Sequence, residues 1–223
     1  MKYLAIFVLL AFTSCGRDKD RAPDRGEPRI PHDEQTIPET DPCPDPPPPP
    51  TKPEPEGKKL FILLNGTGAR CYYYQAVMNA ARKKGYLVQC PISGNTGSGM
   101  DGLRAFQKVS SQVDLSYVLV SGHSQGGVGA VATAWMIQQA NPELKVDTMA
   151  VQPAWFMNPQ FQKYAAELTG EKMVICGSRD TVIPCAGVWS GYGALKDPKK
   201  FVTINATHFN SQRDWAKLLN NFD

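Results

Sequence analysis

Three side chains far apart in this sequence are of the types that acyl transfer requires: Ser124 in GHSQG, Asp180 in GSRDTVIP and His208 in NATHFN. A serine hydroxyl attacks a carbonyl once a neighbouring imidazole takes its proton. A carboxylate on the other ring N–H fixes the tautomer and stabilises the imidazolium that forms. The histidine follows by elimination, because the chain has three. His32 lies in a proline-rich segment, and His123 is the immediate neighbour of Ser124 and is expected to point away from its hydroxyl, so His208 is the general-base candidate. Asp180 lies between Gly177 and Pro184, giving the chain order serine, acid, histidine that a parallel sheet with the serine on a strand-to-helix turn demands. Asp147 and Asp114 fall at the wrong end of strands. Asp101, in a loop at the correct end, comes too early in the chain and stands next in line. Plainer roles exist for both key residues, Ser124 as a helix N-cap and His208 as a surface cap; finding all three groups in order favours the chemical reading.

The attack creates an oxyanion, which needs two preorganised N–H donors. One is expected from the backbone of Gln125, directly after the serine. The other is expected from the loop LLNGTGARC, where Thr67 is the first choice and Gly68 its close competitor.

The elements that must position these residues are legible as short apolar runs alternating with longer amphipathic ones. KLFILL (59–64), YLVQC (86–90), YVLVS (117–121), DTMAVQ (147–152), KMVICG (172–177) and KFVTIN (200–205) predict strands covered on both faces. Residues 71–84, 102–113, 125–140, 159–169, 186–196 and 211–222 predict helices. Strict alternation implies an α/β fold, with six parallel strands in a doubly wound sheet and helices on both faces. Sites in such sheets form at the carboxyl ends of strands. Ser124 sits at one of these ends, between a strand and a helix, with Gly122 and Gly126 two residues away on either side. Side chains at those positions would obstruct so tight a corner, and the helix that follows points its N-terminus at the developing oxyanion.

NGTG after the first strand, GHSQGG at the turn, GxxDxxxP and THF near the end together resemble an α/β-hydrolase, similar to the branch of dienelactone-hydrolase-like enzymes, bacterial lipases, cutinases and polyester hydrolases. The likeness covers residues 58–223. It implies a minimal α/β-hydrolase domain without a lid and hydrolysis of carboxylic esters, short to medium acyl or polyester-like, through an acyl-enzyme. The implied catalytic groups are Ser124, Asp180 and His208, with oxyanion donors at Gln125 and Thr67. It also implies a substrate wall at Trp155 in VQPAW, against a plain role in core packing. Asn65 stands where many relatives have histidine, and Thr67 where polyester hydrolases commonly carry an aromatic residue. The same three groups would equally serve a peptidase or amidase, and a non-catalytic surface-binding module on this fold is the remaining alternative.

The N-terminus, MKYLAIFVLLAFTSC, has one lysine and a short apolar run before small residues, the pattern of an export signal. FTSC resembles a bacterial lipobox, which implies residues 1–14 as a lipoprotein signal peptide and Cys15 as the lipidated first residue of a membrane-anchored envelope protein. The alternative is an ordinary cut near Ser14 and a secreted chain. Residues 15–57 hold thirteen of the nineteen prolines and no hydrophobic periodicity, as expected of a disordered, semi-rigid stalk. Export permits disulfides, and position along the chain pairs Cys71 with Cys90 and Cys176 with Cys185, leaving Cys43 free or intermolecular. A net charge of +3 without a basic stripe argues against nucleic acid. No His/Cys cluster has zinc spacing and the nucleophile is a hydroxyl, so neither metal nor cofactor is expected. The expected partners are a small-molecule or polymeric ester and a membrane reached through the anchor, with the protein a monomer.

Overall fold

The six apolar runs become the six strands of one sheet: β1 (Lys58–Leu64), β2 (Tyr86–Gln89), β3 (Leu115–His123), β4 (Lys145–Val151), β5 (Lys172–Gly177) and β6 (Lys199–Ile204). Their order is β2-β1-β3-β4-β5-β6 and every neighbouring pair is parallel. Parallel neighbours require crossovers, which the helices supply: α1 (Gln75–Lys83), α2 (Met100–Ser110), α3 (Gln125–Ala140), α4 (Phe161–Glu167), α5 (Cys185–Tyr192) and α6 (Gln212–Leu218). The computed structural model describes residues 57–92 and 96–222. The expected signal peptide at 1–14, Cys15, Cys43 and, apart from Gly57, the expected stalk at 15–57 lie outside the described residues.

Why unbroken apolar runs make these strands is plain in β1. Leu60, Ile62 and Leu64 enter one core with residues of α2, α3, α4 and α5, while Phe61 and Leu63 enter a second core with residues of α1 and α6. A strand buried on both faces cannot alternate apolar with polar. Complete burial of each such side chain contributes roughly 1.5–3 kcal/mol. The longest helix, α3, is apolar on nearly every side, as a helix at the centre of a domain must be.

Several boundaries differ from those expected. β3 runs on to His123 and so delivers Ser124 directly from the strand. The segment from residue 71 starts as a tight 3-10 turn, Cys71–Tyr74, before α1, and the segment from 211 gives way after Leu218 to another at Leu219–Asn221. α2 starts at Met100, so Asp101 lies in its first turn, 3.2 Å from Arg104, and not in a loop. The expected disulfides are present, with Cα atoms 6.0 Å apart in Cys71–Cys90 and 5.3 Å apart in Cys176–Cys185. The first ties the start of the 3-10 turn to the end of β2. The second joins the end of β5 to the start of α5, closing the loop that carries Asp180.

The sheet order reverses between β1 and β3, the two strands between which a doubly wound fold opens a crevice at its carboxyl edge. The NGTG loop leaves β1 there, and Ser124 leaves β3 beside it.

Candidate active site

Ser124 is the single residue between β3 and α3, with φ 56° and ψ −118°. A non-glycine residue in such a conformation costs of order 1–3 kcal/mol and needs its surroundings to impose it. Its N–H donates to the Val151 carbonyl at 2.9 Å, and its own carbonyl accepts from Gly127 at 2.9 Å and Ala154 at 3.0 Å. The flanking glycines are steric requirements. A Cβ on Gly122 would lie 2.0 Å from the Gly126 oxygen, and one on Gly126 would lie 2.2 Å from the Leu64 oxygen at the end of β1. Three backbones cross here with no space for a side chain between them.

Asp180 and His208 are both buried, at 5% exposure each, and meet at 2.8 Å between the carboxylate Oδ2 and the ring Nδ1–H. The other carboxylate oxygen, Oδ1, accepts the N–H groups of Val182 at 2.8 Å and Ile183 at 2.9 Å. Backbone donors thus fix the acid on one side while it orients the imidazole on the other, which places the lone pair of the neutral ring on Nε2. Ser124 and His208 line one cavity of about 550 Å³ with the loop Gly66–Ala69.

That loop is held by the side chain of Asn65, whose Nδ2 donates to the Ala69 carbonyl at 2.7 Å, while Gly68 takes φ 71°. Thr67 and Gln125, the two expected oxyanion residues, touch through their side chains, with Thr67 Oγ1 donating to Gln125 Oε1 at 3.1 Å. Gly68 lines the cavity beside them.

Trp155 departs from expectation. It stacks on Phe161 with ring centroids 4.3 Å apart, donates its indole N–H to the Val188 carbonyl at 2.8 Å, and is not among the residues lining the cavity. A Cβ on Gly191 would lie 2.1 Å from its ring, so α5 closes tightly over it. The wall is formed instead by the next two residues, Phe156 and Met157, together with Tyr73, Val182 and Phe209. Phe156 and Phe209 are 79% and 75% exposed, the signature of a mouth and not of a core.

His123, expected to point away from Ser124, is enclosed between Tyr74 and Gln152, with its ring centroid 4.6 Å from that of His208. Burial, reinforced by the charge of His208, pushes its pKa down to about 4. It is therefore neutral at neutral pH. Neither Tyr74 nor Gln152 is singled out by the sequence, although Gln152 lies in VQPAW; Tyr74 lines the cavity and Gln152 is buried behind His123.

No family model and no curated protein matches the chain. Solved structures do. Est1E from Butyrivibrio proteoclasticus is similar at 17% identity and a TM-score of 0.61, over 77% of this chain and 89% of that one. The esterase Pf2001 from Pyrococcus furiosus is similar at 15% identity and 0.60, over 75% and 84%. A monoacylglycerol lipase from Paleococcus ferrophilus is similar at 13% identity and 0.56, over 74% and 95%. The chain has the α/β-hydrolase fold. Within the α/β-hydrolase fold the crossing at Ser124 occupies the strand-to-helix corner at the sheet's carboxyl edge.

The depressed pKa of His123 predicts a pH dependence of stability. The unfolded chain takes up a proton on this histidine as pH falls through about 6.5, whereas the folded chain resists until about 4. Stability from this group is complete above the first value and lost progressively down to the second. Between pH 7 and 4 the urea unfolding free energy should fall about 3 kcal/mol further in the native sequence than in His123→Asn. Equal losses in both would contradict the assignment.

Proposed function

We propose that the protein is an exported serine hydrolase that cleaves carboxylic esters through an acyl-enzyme, with Ser124 as nucleophile, His208 as general base and Asp180 as its orienting acid. One observation carries this reading: a buried Asp180–His208 pair at 2.8 Å faces the same cavity as a serine held at positive φ on a strand-to-helix corner. In the proposed reaction His208 Nε2 takes the Ser124 proton as Oγ attacks the ester carbonyl. The backbone N–H groups of Gln125 and Thr67 hold the oxyanion. The imidazolium then returns the proton to the leaving alkoxide, and water repeats the cycle on the acyl-enzyme.

The cavity supports the choice of an ester with an uncharged acyl group. Among the described residues that line it there is no Lys, Arg, Asp or Glu, while Tyr73, Phe156, Met157, Val182 and Phe209 present apolar surface. A charged peptide side chain would find no partner there and would have to be desolvated. The volume of about 550 Å³ suits a small ligand of short to medium acyl length. The structural neighbours include proteins described as esterases and a monoacylglycerol lipase, which points the same way.

Residues 1–14 are proposed as a lipoprotein signal and Cys15 as the lipidated terminus, with residues 15–57 a stalk between membrane and the catalytic domain at 58–223. The motif FTSC and the thirteen prolines that follow it support this. Mass spectrometry of the protein from a bacterial envelope should find Cys15 acylated at the N-terminus, and an unmodified terminus would contradict the anchor.

The catalytic assignment is tested with p-nitrophenyl esters of two to eight acyl carbons. Ser124→Ala and His208→Ala should each remove about 10⁴-fold or more of the rate while the fold survives. Asp180→Asn should cost a comparable factor, on the order of 10⁴, because an amide favours the wrong imidazole tautomer. Near-full activity in Ser124→Ala would overturn the reading, and near-full activity in Asp180→Asn would move the acid elsewhere.

A further inference from the structure

We infer that Tyr74, His123 and Gln152 form a positioning relay that locks the oxyanion loop and the His208 loop into one fixed separation beneath Ser124. The inference rests on the ester-hydrolase reading above and adds to it three residues that make no attack and carry no proton in the reaction.

The relay is a continuous run of buried hydrogen bonds. The Gly66 N–H donates to the Tyr74 hydroxyl oxygen at 3.1 Å; Tyr74 Oη and His123 Nδ1 are 3.2 Å apart; His123 Nε2 and Gln152 Oε1 are 3.2 Å apart; and Gln152 Nε2 donates to the Thr207 carbonyl at 2.9 Å. All three side chains are at least nine-tenths buried, with exposures of 2%, 4% and 0%. Gly66 adjoins Thr67, and Thr207 adjoins His208, so the two ends of the run are the loops that carry the oxyanion donor and the base.

Each link has one possible polarity. The Thr207 carbonyl only accepts, so the Gln152 amide nitrogen must face it and the amide oxygen must face His123. That oxygen only accepts, so His123 carries its hydrogen on Nε2. Nδ1 then accepts from the Tyr74 O–H, whose oxygen in turn accepts from Gly66. A buried run in which each polar atom has a partner is stiff, because any displacement leaves a desolvated polar atom without one. The chain commits unusual backbone to this arrangement. Gln152 lies at φ 46° just beyond β4, and Gly177 is a glycine beside it, where a Cβ would come within 2.4 Å of the Gln152 amide nitrogen. These features are unnecessary for packing alone, which an apolar residue in that space would satisfy.

The test compares p-nitrophenyl butyrate hydrolysis by the full chain, Tyr74→Phe, Gln152→Met and the double variant, with thermal melts alongside. If the relay positions the two loops, each single variant loses about tenfold or more in kcat, since small misplacements at the chemistry are costly, while KM stays within about twofold. The double variant should fall little below the weaker single one, because either cut releases both loops. Folded single variants with native kcat, or effects that simply multiply, would overturn the relay. Should Gln152→Met fail to fold, Tyr74→Phe alone decides: it removes only the hydroxyl that joins Gly66 to His123, so a lost kcat supports the relay and a native kcat overturns it. A native chain that hydrolyses no ester at any acyl length removes the underlying reading, and the relay's role with it, before any variant is compared.

Discussion

Between Gly122 and Gly126 the chain turns from the central strand into the longest helix at a point where the end of β1 presses against it. With the Leu64 oxygen only 2.2 Å from where a Gly126 Cβ would lie, and the Gly126 oxygen 2.0 Å from where a Gly122 Cβ would lie, no residue but glycine fits at either position two residues from Ser124. That crowding fixes much else. It forces Ser124 into a left-handed conformation that exposes its side chain at the carboxyl edge of the sheet. It starts α3 immediately afterwards, so that the N-terminal end of the helix adjoins Ser124. It also brings the exit of β1, and with it the loop from Asn65 to Ala69, into contact with the corner. A looser crossing would separate Ser124 from that loop by the width of a side chain.

Around this corner the protein distributes polarity in two layers. The floor is polar and saturated: Asp180 uses both carboxylate oxygens, one on His208 and the other on two backbone N–H groups, inside a loop closed by Cys176–Cys185. A disulfide closing a loop of this length stabilises by roughly 2–3 kcal/mol in the chain-entropy account, here spent on the segment that holds the acid. The mouth is apolar and open, formed by Phe156, Met157, Val182 and Phe209 at the ends of separate connections. A rigid, satisfied floor beneath an apolar mouth is what an enzyme needs to hold a carbonyl over a fixed nucleophile while the acyl group lies in a less specific trough.

How far the sequence announces this arrangement depends on whether a residue acts through a local pattern. The four inner strands are legible because each is a run buried on both faces, and β1 shows why: its successive side chains enter opposite cores. The edge strands β2 and β6, expected to be covered in the same way, are only partly buried because each has a neighbour on one side alone. The corner was legible because glycines on both sides of a serine reflect a steric demand carried by five adjacent residues. Trp155 shows the limit. It adjoins Phe156 in a short 3-10 turn, where neighbouring residues face different directions, and nothing in the run AWF says which ring lies inward. Tyr74 is likewise the third of three consecutive tyrosines, of which the first two are exposed. Gln152 is the least legible of all. Its placement depends on a positive φ at the end of β4 and on a glycine in the adjacent strand, which meet only once the sheet has assembled.

The central claim is that folding, and not serine chemistry alone, makes Ser124 reactive. The most direct measurement is to treat the native chain with a fluorophosphonate, digest it, and locate the adduct by mass spectrometry. One phosphonyl group per chain on the peptide containing Ser124, with none on chain unfolded in urea before treatment, is the expected result. No adduct, an adduct on a different serine, or equal labelling of the unfolded chain would contradict it.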